Sequence, residues 1–218
     1  MTTQAIYLSS DKLHGDAELI ACFQDGEQWI AVLDQTLFHP QGGGQPGDTG
    51  RIQTYCGEVA PVLHTRLVDG VVHHVIPHAL PTGPVTLALD KEPRKIHSLL
   101  HSIGHLIGNI GQQNGWHPVR AHYWPNECQV EFAPGTHVVD LDGMTVSQHL
   151  RRLIEAALPV QIETRPDGTR FVGFGFLNAR PCDGTHIHNT REIPSDIDIS
   201  TQLNQGHLQV HYQIANAN

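Results

Sequence analysis

Hydrophobic positions between residues 93 and 114 recur every three or four residues, which predicts one long α-helix. Pro93 suits its first turn, and Glu92 complements the positive end of the helix dipole. Three glycines lie between the aliphatic face and a row of histidines, and each costs about 1 kcal/mol relative to alanine. Either a closely packed sheet or a group that approaches the backbone should therefore occupy the space. The aliphatic residues are Ile96, Leu100, Ile103, Ile107 and Ile110, and the glycines are Gly104, Gly108 and Gly111.

Upstream of this helix the pattern alternates over short stretches separated by turn signals, which predicts strands and no helix. Their regular spacing is typical of a small β-barrel, which we assign to a domain of residues 1–90. The glycine-rich stretch 39–50 interrupts the pattern, because three consecutive glycines are too permissive for a strand. The predicted strands are residues 5–8, 17–24, 29–33, 58–67, 71–76 and 85–89.

Downstream of the long helix, a second helical pattern covers residues 145–158, and short strand patterns surround it. The predicted fold class is α+β, in which an N-terminal small β-barrel domain precedes an antiparallel sheet wrapped around a long zinc-binding helix. The second domain covers residues 91–218, and its last four residues are expected to fray. The strands predicted in it are residues 118–123, 128–132, 160–164, 171–176, 197–200 and 208–214.

The histidine row of the long helix carries its candidate chemistry. His97, His101 and His105 stand at i, i+4 and i+8, so neighbouring pairs can direct ring nitrogens at one metal ion. Such a pair also arises by chance among 17 histidines. About 80 residues later, Cys182 and His186 add a thiolate and an imidazole, and three nitrogens with one sulfur suit zinc. The alternatives are a buried, inert thiol for Cys182 and a surface histidine for His186.

Composition and charge restrict the class of partner. The net charge of −9 argues against nucleic acid, which usually meets a basic face. The distribution softens this objection, since residues 1–90 hold three basic against ten acidic side chains, and residues 91–218 hold ten against twelve. Any tRNA should therefore contact mainly the second domain. No apolar run or leader pattern indicates a membrane or secretion, and four scattered cysteines fit a reducing compartment, so we expect a cytoplasmic protein.

Three separated motifs resemble one family. Residues 101–107 read HSIGHLI, residues 182–193 read CDGTHIHNTREI, and residues 33–50 read LDQTLFHPQGGGQPGDTG. In this order they resemble the editing domain of alanyl-tRNA synthetases and, more closely, the free-standing alanyl-tRNA editing proteins of the AlaX family. The resemblance implies one zinc ion per chain, with the metal ligands His101, His105, Cys182 and His186. It places His97 one turn outside the ligand set.

The resemblance also implies an activity, namely trans-editing hydrolysis of the aminoacyl ester in mischarged tRNA(Ala), with serine or glycine as the wrongly attached amino acid. The implied partner is this tRNA, and no obligate protein partner is indicated. The catalytic candidates are His101, His105, Gln45 and Thr185. The candidates for substrate binding are Gly43, Gly44, Asp48, His97, His122, Tyr123 and Asp183.

Some features leave the mechanism open. Four protein ligands usually mark a structural zinc, whereas a catalytic zinc keeps an open position. Either the ion gains a fifth ligand, one ligand dissociates, or the metal mainly organises the pocket while water is activated nearby. Asp183 replaces a family glycine and offers a carboxylate beside the metal. The Gln-Lys-Gly-Ser stretch of the synthetases is absent from residues 119–125, which puts amino-acid specificity in doubt.

Two other functions remain open at this point. One is a zinc hydrolase of a different ester or amide. The other is a non-enzymatic RNA-binding module whose zinc is structural. A zinc protease of the HExxH type is disfavoured, because Ser102 stands where the catalytic glutamate would be.

Overall fold

The computed structural model describes residues 2–215, so three of the four residues predicted to fray, 216–218, lie outside them. The fold is mostly β, with two α-helices, α1 (Lys91–Gln113) and α2 (Gly143–Glu155). The chain divides into two compact units, Met1–Lys95 and Ile96–Asn218. Each unit has its own hydrophobic core.

The first unit contains a nearly closed, barrel-like antiparallel sheet of seven strands in the order β6-β5-β9-β2-β3-β8-β7. Leu63, between β6 and β7, donates its backbone N–H to the carbonyl of Val75 in β8, which links the two ends of the sheet. The strands of this unit are β1 (Gln4–Ala5), β2 (His14–Asp25), β3 (Gln28–Leu33), β4 (Gln35–Thr36), β5 (Gly50–Thr54), β6 (Val59–Val62), β7 (His64–Val68), β8 (Val71–Ile76) and β9 (Gly83–Leu89).

Three strand predictions in this unit need correction. The strand predicted at residues 5–8 is wrong beyond Ala5, because Ile6–Leu8 forms a single turn of 3-10 helix. The single strand predicted at 58–67 is two strands, which are separated at Leu63. Strand β5 was not predicted at all, since Ile52 is the one large aliphatic residue in Gly50–Thr54.

A buried ion pair fixes the glycine-rich loop between β4 and β5. The Arg94 guanidinium binds the Asp48 carboxylate and donates 2.6 Å to the carbonyl of Leu37. The same carboxylate accepts the backbone N–H of His39 at 2.5 Å. Gly47 is needed for space, since a Cβ there would lie 2.3 Å from the carbonyl oxygen of Thr65. The loop is thus anchored within the first unit.

The second unit has two antiparallel sheets, with strand orders β10-β11-β16-β15 and β12-β13-β14. Helix α2 begins at its N-cap Asp142, whose side chain accepts the Thr145 N–H at 2.7 Å, and it buries Val146 and Leu150. The strands are β10 (Trp116–His122), β11 (Cys128–Pro134), β12 (Val160–Thr164), β13 (Arg170–Phe174), β14 (Arg180–Pro181), β15 (Ile197–Asn204) and β16 (His207–Ile214).

The surroundings of the α1 glycines show what occupies the space beside them. A Cβ on Gly111 would lie 2.1 Å from the Phe132 ring, and one on Gly104 would lie 2.3 Å from the Tyr123 ring. These two glycines allow a sheet to pack closely against the helix. Gly108 differs, because its neighbour is the guanidinium of Arg180, 3.3 Å from the position of a Cβ.

Candidate metal centre

Four nitrogen and sulfur donors converge in the second unit. His101 and His105 project from α1, and Cys182 and His186 come from the turn that follows β14. One ligand atom from each lies within 4.8 Å of the others. The Cys182 Sγ is 3.4 Å from His101 Nε2 and 3.3 Å from His186 Nε2. Two such ligands on one tetrahedral metal would stand about 3.6 Å apart, so this group of four can hold an ion.

The turn that carries Cys182 and His186 is held by a buried arginine. Arg170 Nη1 donates to the carbonyl of Cys182 at 2.7 Å and to the carbonyl of Gly184 at 3.0 Å. In the opposite direction, the Cys182 N–H donates to the Arg170 carbonyl at 2.9 Å. Strand β13 therefore fixes the backbone that positions both donors.

Ser102 orients the ring of His186. Its hydroxyl donates to the Ser98 carbonyl at 2.7 Å, so its oxygen accepts from His186 Nδ1 at 3.0 Å and from the Ile187 N–H at 3.2 Å. This pattern assigns the ring proton to Nδ1 and leaves the Nε2 lone pair facing Cys182. The orientation of a metal-ligating histidine is usually fixed by a partner of this kind.

Burial favours the uncharged forms of two of the four donors, His105 and Cys182. Burial, together with the charges of Arg180 and Arg170, lowers the pKa of His105 to about 3. Burial also raises the pKa of the Cys182 thiol to about 11. A neutral imidazole has the free lone pair that a metal needs, whereas a buried thiolate needs a nearby cation. The site therefore favours a cation as its occupant.

Aromatic rings surround the donors. The buried Tyr123 ring stacks on His101, with centroids 4.3 Å apart and planes inclined by 26°. The Phe174 ring lies 6.0 Å from His105 and 5.8 Å from His186, between ring centroids. Burial raises the pKa of the Tyr123 hydroxyl, so it stays a neutral donor.

The remaining candidate site residues of the second unit differ in their burial and in their contacts. Thr185 is buried, and its Oγ1 lies 2.7 Å from Ser98 Oγ. His97 is buried one turn before His101 and is outside the four-donor group. Asp183 is exposed. His122 is about two-fifths exposed, lies 3.4 Å from a Glu127 carboxylate oxygen and stacks on Trp124.

The candidates of the first unit lie in the anchored loop. Gly43 and Gly44 have φ of +58° and +83°, which explains the need for glycine there. Gln45 is fully buried, and its backbone exchanges hydrogen bonds with Gly42 at 2.9 and 3.1 Å. The Asp48 carboxylate is bound by Arg94. Contact of these residues with a substrate stays a prediction.

Sequence reasoning missed the arginines and the serine that support the donors. Ser102 was considered only as the residue that replaces a catalytic glutamate. In the sequence alone, Arg170 and Arg180 are only two of the ten basic side chains of residues 91–218. A signal existed for Arg180, because it precedes Cys182 by two residues, and alternate strand residues share a face.

Comparison with known proteins places this chain beside one segment of larger enzymes. No family model matches it. It is 27% identical to the alanine–tRNA ligase of Methanoculleus marisnigri over 210 residues, which cover 84% of the chain and 22% of the ligase. The ligase of Methanopyrus kandleri is 26% identical over 223 residues, with 88% and 24% covered. That of Streptomyces avermitilis is 27% identical over 202 residues, with 78% and 22% covered.

The chain thus spans less than a quarter of the length of each of these ligases. It is homologous to a segment of alanyl-tRNA synthetases, which confirms the resemblance given by the three motifs and is consistent with an AlaX-like editing domain. Within the described residues, neither helix combines the length and apolar character that crossing a membrane would require.

Proposed function

We propose that this chain is a trans-editing hydrolase, which cleaves the aminoacyl ester of mischarged tRNA(Ala) and prefers Ser-tRNA(Ala), with Gly-tRNA(Ala) as a second substrate. The single observation that carries the proposal is the convergence of His101, His105, Cys182 and His186, the residues of the HxxxH and CxxxH motifs. Homology to a segment of alanine–tRNA ligases supports the choice of tRNA.

We propose Zn²⁺, one per chain, as the occupant of this cluster. Three imidazole nitrogens and one thiolate are a common zinc donor set. When bound, zinc supplies Lewis-acid chemistry, which polarises a carbonyl group or favours ionisation of a water molecule. His186 is held with Nε2 toward Cys182, as such a ligand requires. Because four protein donors are present, we favour a metal that organises the pocket while the substrate is oriented around it.

The chain's own residues would hold the substrate. The Tyr123 ring and the turn that carries Thr185 lie beside the donors in the second unit. A neutral tyrosine hydroxyl or a threonine hydroxyl can bond the serine side chain. A site built for that bond disfavours alanine, because alanine would leave a buried polar group unpaired. We propose Tyr123 and Thr185 as the residues that distinguish serine from alanine.

The test uses the zinc-loaded chain with Ser-tRNA(Ala), Gly-tRNA(Ala) and Ala-tRNA(Ala), before and after a chelator. We expect the serine ester to be cleaved well above the alanine ester, with loss of activity in chelator and recovery with zinc. Cleavage of simple esters alone would indicate a zinc hydrolase of another substrate. Binding of tRNA without cleavage of any ester would indicate an RNA-binding module, and either result would overturn the proposal.

A further inference from the structure

Arg180 lies next to the candidate metal centre but has no part in holding its four donors. It stands on β14, two residues before Cys182, which lies in the turn after that strand. Its Nη2 donates a hydrogen bond of 3.0 Å to the carbonyl of Gly108. Gly108 follows His105 by three residues, which is close to one turn of α1. The guanidinium is therefore about one helical turn from His105, the nearer donor of α1.

The charge of Arg180 is not balanced within the described chain. No carboxylate of residues 2–215 lies within ion-pair distance of it, whereas Arg94 binds Asp48 and Arg66 binds Asp25. Of the five N–H donors of this guanidinium, one has a protein acceptor, and the buried Nε has none. A half-buried cation without a counter-charge is costly unless a ligand supplies one.

Gly108 makes room for this cation. A Cβ at residue 108 would lie 3.3 Å from Nη1, which is tighter than ordinary contact, and 3.6 Å from the central carbon of the guanidinium. The absent side chain thus lets the planar group lie against the helix backbone. A hydrogen bond to one carbonyl uses only one of the five N–H donors of a guanidinium. The planar arrangement of the five donors suits a planar or tetrahedral anion.

The chemistry of the substrate indicates which anion this is. In an aminoacyl ester the carboxylate of the amino acid is consumed, and its ammonium group would be repelled by a guanidinium. The remaining anions of an aminoacylated RNA are its phosphates. We propose that Arg180 binds the phosphate of the terminal nucleotide, so that the site distinguishes a nucleotide ester from an ester without phosphate. This inference rests on the proposed function for the identity of the substrate.

Binding to the zinc-loaded protein tests the inference without any turnover. The probes are adenosine 5′-monophosphate and adenosine, with dissociation constants measured by calorimetry or NMR titration. A hydrogen bond to a charged group predicts roughly 10- to 100-fold weaker binding of the monophosphate by Arg180→Gln, with adenosine binding unchanged. The matched control is Arg152→Gln, an exposed arginine of α2, which should bind both probes as the parent does.

Two milder variants keep the test decisive if Arg180→Gln folds poorly. Arg180→Lys retains the charge but loses the fork, and Gly108→Ala retains the guanidinium but displaces it by a few tenths of an ångström. Both variants should weaken binding of the monophosphate by less than Arg180→Gln does. Both should retain the zinc content and the melting temperature of the parent. Equal binding of the monophosphate by parent, Arg180→Gln and Arg180→Lys would overturn the inference, as would equal weakening of both probes.

Kinetics separates this inference from the proposed function. With Ser-tRNA(Ala), Arg180→Gln should raise KM and leave kcat nearly unchanged, because the phosphate does not react. If the parent cleaves no aminoacyl-tRNA yet binds the monophosphate through Arg180, the phosphate site stands and the hydrolase function fails. If the parent cleaves the ester and the Arg180 variants bind the monophosphate normally, the hydrolase function stands and the phosphate site fails.

Discussion

Two buried polar groups of the first unit, Asp48 and His74, are matched by other groups of that unit, whereas the ligand atoms around Cys182 in the second unit face one another. In the first unit, the Asp48 carboxylate receives Arg94 and the His39 N–H. The buried His74 ring lies 2.8 Å from Thr36 Oγ1 and 3.0 Å from the Ala31 carbonyl oxygen, so both of its nitrogens have partners. These groups need nothing from outside the chain.

In the second unit, by contrast, the Cys182 sulfur lies 3.3–3.4 Å from two imidazole nitrogens that are themselves metal-ligand atoms. Nearby, Arg180 has a charge that no carboxylate of the described residues balances. Burial of polar groups therefore does not by itself indicate a binding site. The informative difference is whether a buried donor or charge is matched inside the protein or is matched only by an added ion or ligand.

The largest expected effect comes from removing one partner of the buried Arg94–Asp48 ion pair in the first unit. Asp48→Asn leaves the buried Arg94 without its counter-charge, which should lower the free energy of unfolding by about 3–5 kcal/mol. Asp25→Asn is the matched control, because the Arg66–Asp25 pair is about half exposed and should cost less than about 1 kcal/mol. Urea unfolding of both variants measures the difference. Equal destabilisation would mean that the buried pair has no special role in the first unit.

The corresponding change in the second unit removes one of the four candidate metal ligands. Cys182→Ala and His101→Ala should weaken zinc binding by roughly 100-fold or more, since loss of a supporting residue alone costs 10–100-fold. His97→Ala and Cys56→Ala are the controls. His97 lies one turn from His101 and outside the four-donor group, and Cys56 is an exposed thiol. Metal analysis and competition with a chelator give the affinities.

Two results would contradict this assignment. Full zinc occupancy in Cys182→Ala would remove Cys182 from the ligand set. Equal zinc loss in His97→Ala and His101→Ala would mean that the wrong pair of α1 histidines was chosen.

Acid should destabilise the first unit by protonating the buried His74. Burial lowers the pKa of His74 from 6.5 to about 4, and the neighbouring His73 contributes to the lowering. The unfolded chain therefore binds the proton first. The stability that His74 contributes is complete above about pH 6.5 and is lost as the pH falls toward 4, by roughly 3 kcal/mol for a shift of this size.

The measurement compares the parent with His74→Gln in urea at pH 7 and pH 4.5, and hydrogen exchange of β3 and β8 reports on the first unit. The variant should be less stable at pH 7 and should lose less stability on acidification, because it has no ring to protonate. The difference between the two proteins isolates His74 from the other histidines. An equal loss in both would show that its protonation does not limit stability in acid.

Periodicity and motif spacing predicted much of this arrangement. The helix over residues 93–114 is present as Lys91–Gln113, and the four predicted donors lie together. Periodicity predicts well here because the helix buries a continuous aliphatic face, which the core requires. Strand β5 was missed since Arg51 and Gln53 alternate with only one large aliphatic residue, and the neighbouring strands β6 and β9 supply the rest of its stabilisation.

The groups that support the donors could not be predicted in the same way. Ser102 and His186 are 84 residues apart, and Arg180 meets Gly108 across 72 residues. Neither contact produces a local pattern, because a single hydrogen bond imposes no repeat on the sequence. The same holds for Asp48, which was predicted as a substrate contact from its motif, whereas its partner Arg94 is 46 residues away. A motif identifies which residues matter more readily than what each one contacts.

The smallest expected effect concerns Ser102, which is hydrogen-bonded within the chain and also orients a candidate metal ligand. Its hydroxyl is matched inside the chain, but the match serves to point His186 Nε2 at Cys182. Ser102→Ala should weaken zinc binding by roughly 10-fold, at the lower end of what partners of metal ligands contribute. The matched control is Ser98→Ala, one turn earlier on α1, whose hydroxyl lies 2.7 Å from Thr185 Oγ1. NMR of the His186 ring should show a mixture of tautomers in Ser102→Ala and the single Nδ1–H form in Ser98→Ala. If both variants retain the parental zinc affinity and the Nδ1–H form, the Cys182 turn alone orients the ligand, and Ser102 belongs with the purely internal pairs.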